Sequence, residues 1–116
     1  MDKNKKRILI DLDGVLNNYN GEYQTDFIPE IKAGANEFIE ELNKNYELYL
    51  FTSRNLLLSA KWLFDNKIDK YFADITNTKL PAHIYIDDRT INFKGDFKIA
   101  LNEIKNFKVY WKNKVN

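Results

Sequence analysis

The stretch that decides the fold is RILIDLDGVLN, Arg7 to Asn17. Its apolar residues, Ile8 to Ile10 and Leu12, are typical of a buried strand, and two aspartates, Asp11 and Asp13, stand at the strand's end. Ionised carboxylates are rarely buried unless a cation shares their site. The stretch therefore predicts a core strand that leads into a polar site, where positive charge is either supplied by the chain or recruited.

Length and composition favour a single globular domain and exclude several classes of protein. A chain of 116 residues predicts a single domain, 1–116, and its 44% apolar content favours a folded globular protein. The net charge of +1 gives no indication of nucleic-acid binding, and no apolar run approaches the ~18 residues of a membrane span. The absence of cysteine excludes disulfides and a thiol nucleophile, and a single histidine leaves no zinc cluster. We expect a cytoplasmic protein without membrane contact, and its oligomeric state stays open.

Short apolar strands alternate with amphipathic helices along the chain. Strands are predicted at 7–12, 46–54, within 72–78, at 83–89 and at 107–111, and helices from Ala35, over 56–68 and after Asp96. The last helix has an apolar face formed by Phe97, Ala100, Leu101 and Ile104. This alternation predicts an α/β fold with a mostly parallel sheet and helices on both faces.

Three of the predicted strands end in polar residues. They are Asp11 and Asp13 after the first, Thr52, Ser53 and Arg54 after the second, and Asp87, Asp88 and Arg89 after the fourth. Because ligands of open parallel sheets bind at the carboxyl ends of the strands, we expect these side chains to converge.

Convergent carboxylates need a counter-ion. Two like charges about 4 Å apart repel by roughly 4 kcal/mol at an effective dielectric of 20, and all-oxygen ligands favour Mg²⁺ before Ca²⁺. Lys79, upstream of the fourth strand, adds a fixed positive charge. Such a site suits a phosphate, and an aspartate with an ordinary pKa of about 3.9 is already ionised for attack on phosphorus.

The same residues resemble the motifs of the haloacid dehalogenase (HAD) superfamily. ILIDLDGVL resembles its first motif, hhhDxDGx(T/V); YLFTSR resembles the second, Lys79 stands where the third motif's lysine belongs, and IYIDDR resembles the acidic fourth motif. The resemblance spans residues 7 to 89 and implies a three-layer HAD Rossmann-like fold. One departure is Leu80, which stands between Lys79 and Pro81 where relatives often have Lys-Pro.

The resemblance also implies roles for individual residues. Asp11 would be the nucleophile and a metal ligand, and Asp13 the general acid/base with its backbone carbonyl on the metal. Thr52 and Lys79 would bind the phosphoryl group, with Ser53 and Arg54 beside them, and Asp87 and Asp88 would complete the Mg²⁺ site. For Arg54 and Arg89, a contact to substrate and a structural pairing with carboxylates both stay open.

The gaps between motifs leave no room for a cap domain, so the chain resembles a capless member with a flap at 17–31 beside the site. The function implied is a Mg²⁺-dependent phosphatase that acts on a small-molecule phosphomonoester through an aspartyl-phosphate. Two alternatives stay open: a binding or regulatory domain without turnover, and a phosphatase for nucleic-acid ends.

Overall fold

The computed structural model describes residues 5 to 114 of the chain. Its regular elements, in chain order, are β1 (Lys6–Asp11), α1 (Ala35–Asn43), β2 (Tyr46–Phe51), α2 (Leu56–Asp65), β3 (Phe72–Thr76), β4 (Ile84–Ile86) and α3 (Phe97–Lys105). Two 3₁₀ helices, Asp69–Tyr71 and Tyr110–Lys114, lie before β3 and near the carboxyl end. The predicted alternation of strands and helices is confirmed.

The sheet has four strands in the order β3-β2-β1-β4, and every pair is parallel. Asp11 lies opposite Phe51 of β2, and Ile10 lies opposite Ile86 of β4. Because the strands run in the same direction and nearly in register, their carboxyl ends share one edge of the sheet. The α/β class with a parallel sheet is therefore confirmed.

The core forms around β1 because that strand lies between β2 and β4. Ile8, Leu9 and Ile10 are all buried, as expected for a central parallel strand covered on both faces. From α1, Ala35 and Ile39 join the core, and α2 adds residues that include Trp62 and Leu63.

Two helices begin at side chains that cap their first turn. The side-chain oxygen of Asn55 accepts the Leu58 amide at the start of α2. At the start of α3, the carboxylate of Asp96 accepts the amides of Lys98 and Ile99, as predicted from its position.

The apolar face of α3 is not covered. None of the α3 residues is buried, and the side chains of Phe97 and Leu101 are 78% and 67% exposed. The helix itself is confirmed, but α3 does not contribute a packed layer, so the expected cover on both faces of the sheet is realised only in part.

The prediction of a last strand at 107–111 is wrong. Residues 107 to 109 have no regular structure, and a 3₁₀ helix begins at Tyr110. This segment makes side-chain contacts instead of ladder hydrogen bonds: the Tyr110 hydroxyl donates to the carbonyl of Gly14.

The flap predicted at 17–31 is closed at its base by an antiparallel bridge between Asn17 and Ile31. Between these two residues the chain has no helix or longer strand. Within residues 5 to 114, no helix is both long enough and apolar enough to cross a membrane.

Candidate functional site

Three carboxylates gather at the carboxyl ends of two neighbouring strands. Asp11 is the last residue of β1, and Asp87 and Asp88 follow β4 directly. Each of the three offers one oxygen, and these oxygens all lie within 4.8 Å of one another. The expected convergence of these three side chains is therefore present in the structure, and we call them the acidic cluster.

The acidic cluster changes the protonation of Asp11. Burial, and then the negative charges of Asp87 and Asp88, raise the pKa of Asp11 from 3.8 to about 8. The expectation of an ordinary pKa is therefore wrong, because at neutral pH the Asp11 carboxyl holds its proton unless a cation offsets its neighbours. A divalent cation bound here would displace this proton, because the ionised carboxylate is the form that binds a metal.

The close approach of Asp88 to β1 depends on Gly14. The backbone φ of Gly14 is +83°, and a Cβ atom at this position would collide with the carboxylate of Asp88. Glycine therefore supplies both the backbone conformation and the space that this approach requires.

The acidic cluster opens into a cavity of about 280 Å³. The residues that line it are Asp11, Asp13, Tyr19, Tyr23, Ser53, Asp87, Asp88 and Arg89. Four of these are aspartates and one is an arginine, so the cavity has an excess of negative charge. This charge balance favours a divalent cation.

Asp13 lines the cavity, and both of its carboxylate oxygens are hydrogen-bonded. Oδ2 accepts a bond of 2.8 Å from Nε of Arg54, and Oδ1 accepts one of 3.0 Å from the Asn17 amide nitrogen. The side-chain oxygen of Asn17 in turn accepts the amides of Gly14 and Tyr19. Asp13 is thus held in one orientation by residues of two separate segments.

Arg54 is a buried partner of Asp13 and of the flap. It is 1% exposed, and its Nη1 donates to the carbonyls of Gln24 and Phe27. Its guanidinium lies 4.5 Å from the ring centre of Tyr23, and it does not line the cavity. Of the two roles left open for Arg54, these contacts match the structural pairing with a carboxylate, and a contact to substrate stays a prediction.

Thr52 and Ser53 follow β2 as predicted, but only Ser53 lines the cavity. Thr52 is 3% exposed, and its hydroxyl oxygen accepts the amide of Arg54. In this conformation Thr52 shapes the turn after β2, and Ser53 is the hydroxyl residue that faces the cavity.

The structure does not bring Lys79 to the acidic cluster. Its Nζ lies 4.7 Å from the ring centre of Tyr85, and it lines a separate cavity with His83 and residues 90 to 92. The chain just after it is fixed away from the site, because the Tyr85 hydroxyl donates to the Leu80 carbonyl and Arg7 donates to the Pro81 carbonyl. Lys79 therefore lies apart from the acidic cluster in this conformation, and its role of holding the nucleophile stays a prediction.

Two residues of the site were not singled out from the sequence as site residues. Asn17 is 1% exposed and orients Asp13, and Trp111 donates a hydrogen bond to Asp88. For Asn17, the signal in the sequence is its position four residues after Asp13, which a short turn can bring within reach. For Trp111 no local signal exists, because its partner lies 23 residues earlier.

Comparison with known proteins supports the fold alone. No family model matches the chain, and no curated protein matches it. Among solved structures, a conserved protein from Bacteroides thetaiotaomicron is similar, with a TM-score of 0.59 and 23% identity, over 97% of this chain and 100% of that chain. A likeness at this level of identity indicates a shared architecture and carries no activity from one protein to the other.

Proposed function

We propose that this protein is a Mg²⁺-dependent phosphomonoester hydrolase of the HAD type, acting through an aspartyl-phosphate on Asp11. The observation that carries the proposal is the acidic cluster. Its carboxylates lie at the ends of β1 and β4, the strands that carry the first and fourth motifs, and Asp13 lines the same cavity. The order of motifs along the chain adds support, because the resemblance assigns these same aspartates to the nucleophile and the metal site.

The residues present fit a magnesium ion. Burial, and then the negative charges of Asp87 and Asp88, raise the pKa of Asp11, and a bound cation would offset both effects. Three carboxylate oxygens within 4.8 Å of one another match the hard oxygen ligands that Mg²⁺ prefers. Asp11, Asp87 and Asp88 hold the ion in this proposal. When bound, it lowers the pKa of Asp11 and offsets the charge of a phosphate group.

In this proposal Asp11 is the nucleophile, and Asp13 transfers the protons. An oxygen of Asp11 forms a bond to phosphorus as the bond to the ester oxygen breaks, which leaves an acyl phosphate on Asp11. Asp13 donates a proton to the departing ester oxygen and then takes a proton from the water that cleaves the acyl phosphate. This sequence releases an alcohol and inorganic phosphate and restores both carboxyl groups.

The contacts of Asp13 support Oδ1 as the oxygen that moves the proton in this proposal. Oδ2 is held by the charged guanidinium of Arg54, whereas Oδ1 is held by the neutral amide of Asn17. A hydrogen bond to a charged group is about twice as strong as a neutral one. Oδ1 therefore exchanges its partner for the ester oxygen more readily than Oδ2.

Arg89 and Ser53 are the residues proposed to bind the phosphoryl group. Arg89 carries the positive charge among the residues that line the cavity, and Ser53 adds a hydroxyl. In this conformation they take the place that the resemblance assigns to Lys79 and Thr52.

The position of Lys79 favours a second candidate function. A site that lacks a lysine beside the nucleophile suits a domain that binds a metal or a partner without turnover. The two candidates differ in one property, catalytic release of phosphate.

The experiment that separates them is a phosphatase screen over nucleotides, sugar phosphates and phosphorylated oligonucleotide ends, with Mg²⁺ and with EDTA. The proposal predicts release of phosphate that requires Mg²⁺ and is lost in Asp11→Asn, while Asp69→Asn, a change at an exposed carboxylate, retains it. Magnesium binding without turnover of any substrate would favour the binding domain. Equal activity of Asp11→Asn and the native protein would exclude the proposed nucleophile.

A further inference from the structure

The segment from Val109 to Trp111 lies against the site, although it is remote from the motifs in sequence. Val109 and Trp111 are both buried. The Tyr110 hydroxyl donates a hydrogen bond of 2.6 Å to the carbonyl of Gly14, in the loop that follows Asp13. The segment is therefore anchored to the loop that follows the proposed catalytic aspartates.

Trp111 contacts the acidic cluster directly. Its Nε1 donates a hydrogen bond of 2.6 Å to Oδ2 of Asp88. The Arg89 guanidinium lies 5.1 Å from the centre of the indole ring, within the range of a cation–π contact. One side chain thus touches both a proposed metal ligand and the proposed phosphate-binding cation.

The same indole also packs on the flap. The rings of Trp111 and Tyr19 meet edge to face, with their centres 5.4 Å apart. A Cβ atom at Gly21 would lie 3.3 Å from the indole, and one at Gly14 would lie 2.9 Å from its Nε1. Two glycines at positive φ therefore leave the space in which the indole fits.

From these contacts we infer that Trp111 is a positioning residue for the metal site: its indole N–H holds the carboxylate of Asp88 against Asp11 and Asp87. The inference rests on the proposed function, since it assigns a role toward the same Mg²⁺ ion. The physical reason is that Asp88 lies close to two other acidic side chains, and a donor that fixes one of its oxygens keeps it in this position. Trp111 supplies that donor without adding a positive charge that would compete with the ion.

The test is the affinity for Mg²⁺ alone, measured by isothermal titration calorimetry in the full chain. Trp111→Phe removes the N–H and retains most of the ring area. Loss of a residue that hydrogen-bonds to a metal ligand weakens metal binding by about 10-fold or more. Trp62→Phe is the matched control, because Trp62 also donates its indole N–H, but to the Pro29 carbonyl and not to a carboxylate of the acidic cluster.

A double-mutant cycle shows whether Trp111 acts through Asp88. In an Asp88→Ala background, Trp111→Phe is expected to change the Mg²⁺ affinity by less than about twofold, because its partner is already absent. A full effect in that background, or an unchanged affinity in the single Trp111→Phe variant, would overturn the inference and leave the proposed function standing. If the native protein does not bind Mg²⁺, the proposed function itself fails.

If Trp111→Phe does not fold, tryptophan fluorescence tests whether Trp111 is coupled to the metal site through Asp88. In the Trp62→Phe variant the remaining tryptophan is Trp111, so Mg²⁺ is expected to shift its emission, and Asp88→Ala is expected to abolish that shift. A Trp62→Phe protein that binds Mg²⁺ with no change in emission would contradict the assignment.

Discussion

Replacing Asp11 by asparagine is expected to stabilise the metal-free protein at pH 7, although it removes the proposed nucleophile. Burial and the charges of Asp87 and Asp88 raise the pKa of Asp11 from 3.8 to about 8 in the folded protein. Between these values the folded chain binds more protons than the unfolded chain, so the free energy of unfolding falls as the pH rises. Asparagine is neutral at every pH and avoids this loss.

The size of the effect follows from the two pKa values. The pH of 7 lies above the unfolded-state pKa of 3.8 and below the folded-state value. At 1.36 kcal/mol per pH unit, the difference between pH 7 and 3.8 limits the gain in the free energy of unfolding to about 4 kcal/mol. Because Asp11 is partly exposed and the loops can relax, we expect about 1–3 kcal/mol, or a rise in Tm of about 5–10 °C. At pH 5 the same reasoning lowers the upper limit to about 1.6 kcal/mol.

Urea unfolding at pH 5 and pH 7 in EDTA, with Asp11→Asn beside Asp69→Asn, measures this difference. Addition of Mg²⁺ should reverse the order, since the ion binds the native cluster and stabilises the folded state by mass action. The reasoning is refuted if Asp11→Asn is no more stable than the native protein at pH 7 in EDTA. It is also refuted if the gain does not shrink at pH 5.

Three further predictions concern stability and the assignment of roles. Arg54→Met should lower the free energy of unfolding by about 2–3 kcal/mol in urea titrations, because it breaks the ion pair between the buried Arg54 and the half-buried Asp13; a loss below about 1 kcal/mol contradicts this pairing. In the same assay Leu63→Ala should cost about 2–5 kcal/mol, whereas Leu101→Ala on the exposed face of α3 should cost about 0.5 kcal/mol or less; equal losses would mean that α3 is packed in solution. Lys79→Ala should retain kcat/KM within about threefold in the phosphatase assay, because the lysine lies outside the acidic cavity; a complete loss would place it at the reacting phosphate.

The positions of the strands and of the acidic cluster could be predicted because they depend on local patterns. β1 and β2 are apolar runs bounded by polar residues, and parallel strands necessarily share the edge at which they end. Asp11, Asp87 and Asp88 follow from that rule alone.

The position of Lys79 could not be predicted in this way, because it lies in a loop. The chain crosses from β3 at one edge of the sheet to β4 at the other, and the course of that crossing depends on tertiary contacts such as the bond from Tyr85 to Leu80. Spacing along the sequence does not determine which side of the sheet edge such a loop follows.

The segment at 107–111 was mistaken for a strand for a related reason. Its aromatic and β-branched residues are typical of strands, but Tyr110 and Trp111 have hydroxyl and indole donors that bind Gly14 and Asp88. These contacts join residues far apart in sequence, and periodicity does not detect them.

The central claim is that Asp11, Asp87 and Asp88 bind one divalent ion and that Asp11 carries the phosphoryl group. A crystal structure of the protein with Mg²⁺ and beryllium trifluoride, an analogue of the acyl phosphate, tests both parts at once. We expect one ion coordinated by oxygens of all three aspartates and the beryllium atom bonded to an Asp11 oxygen. An ion bound elsewhere, or beryllium bonded to any other residue, would contradict this assignment.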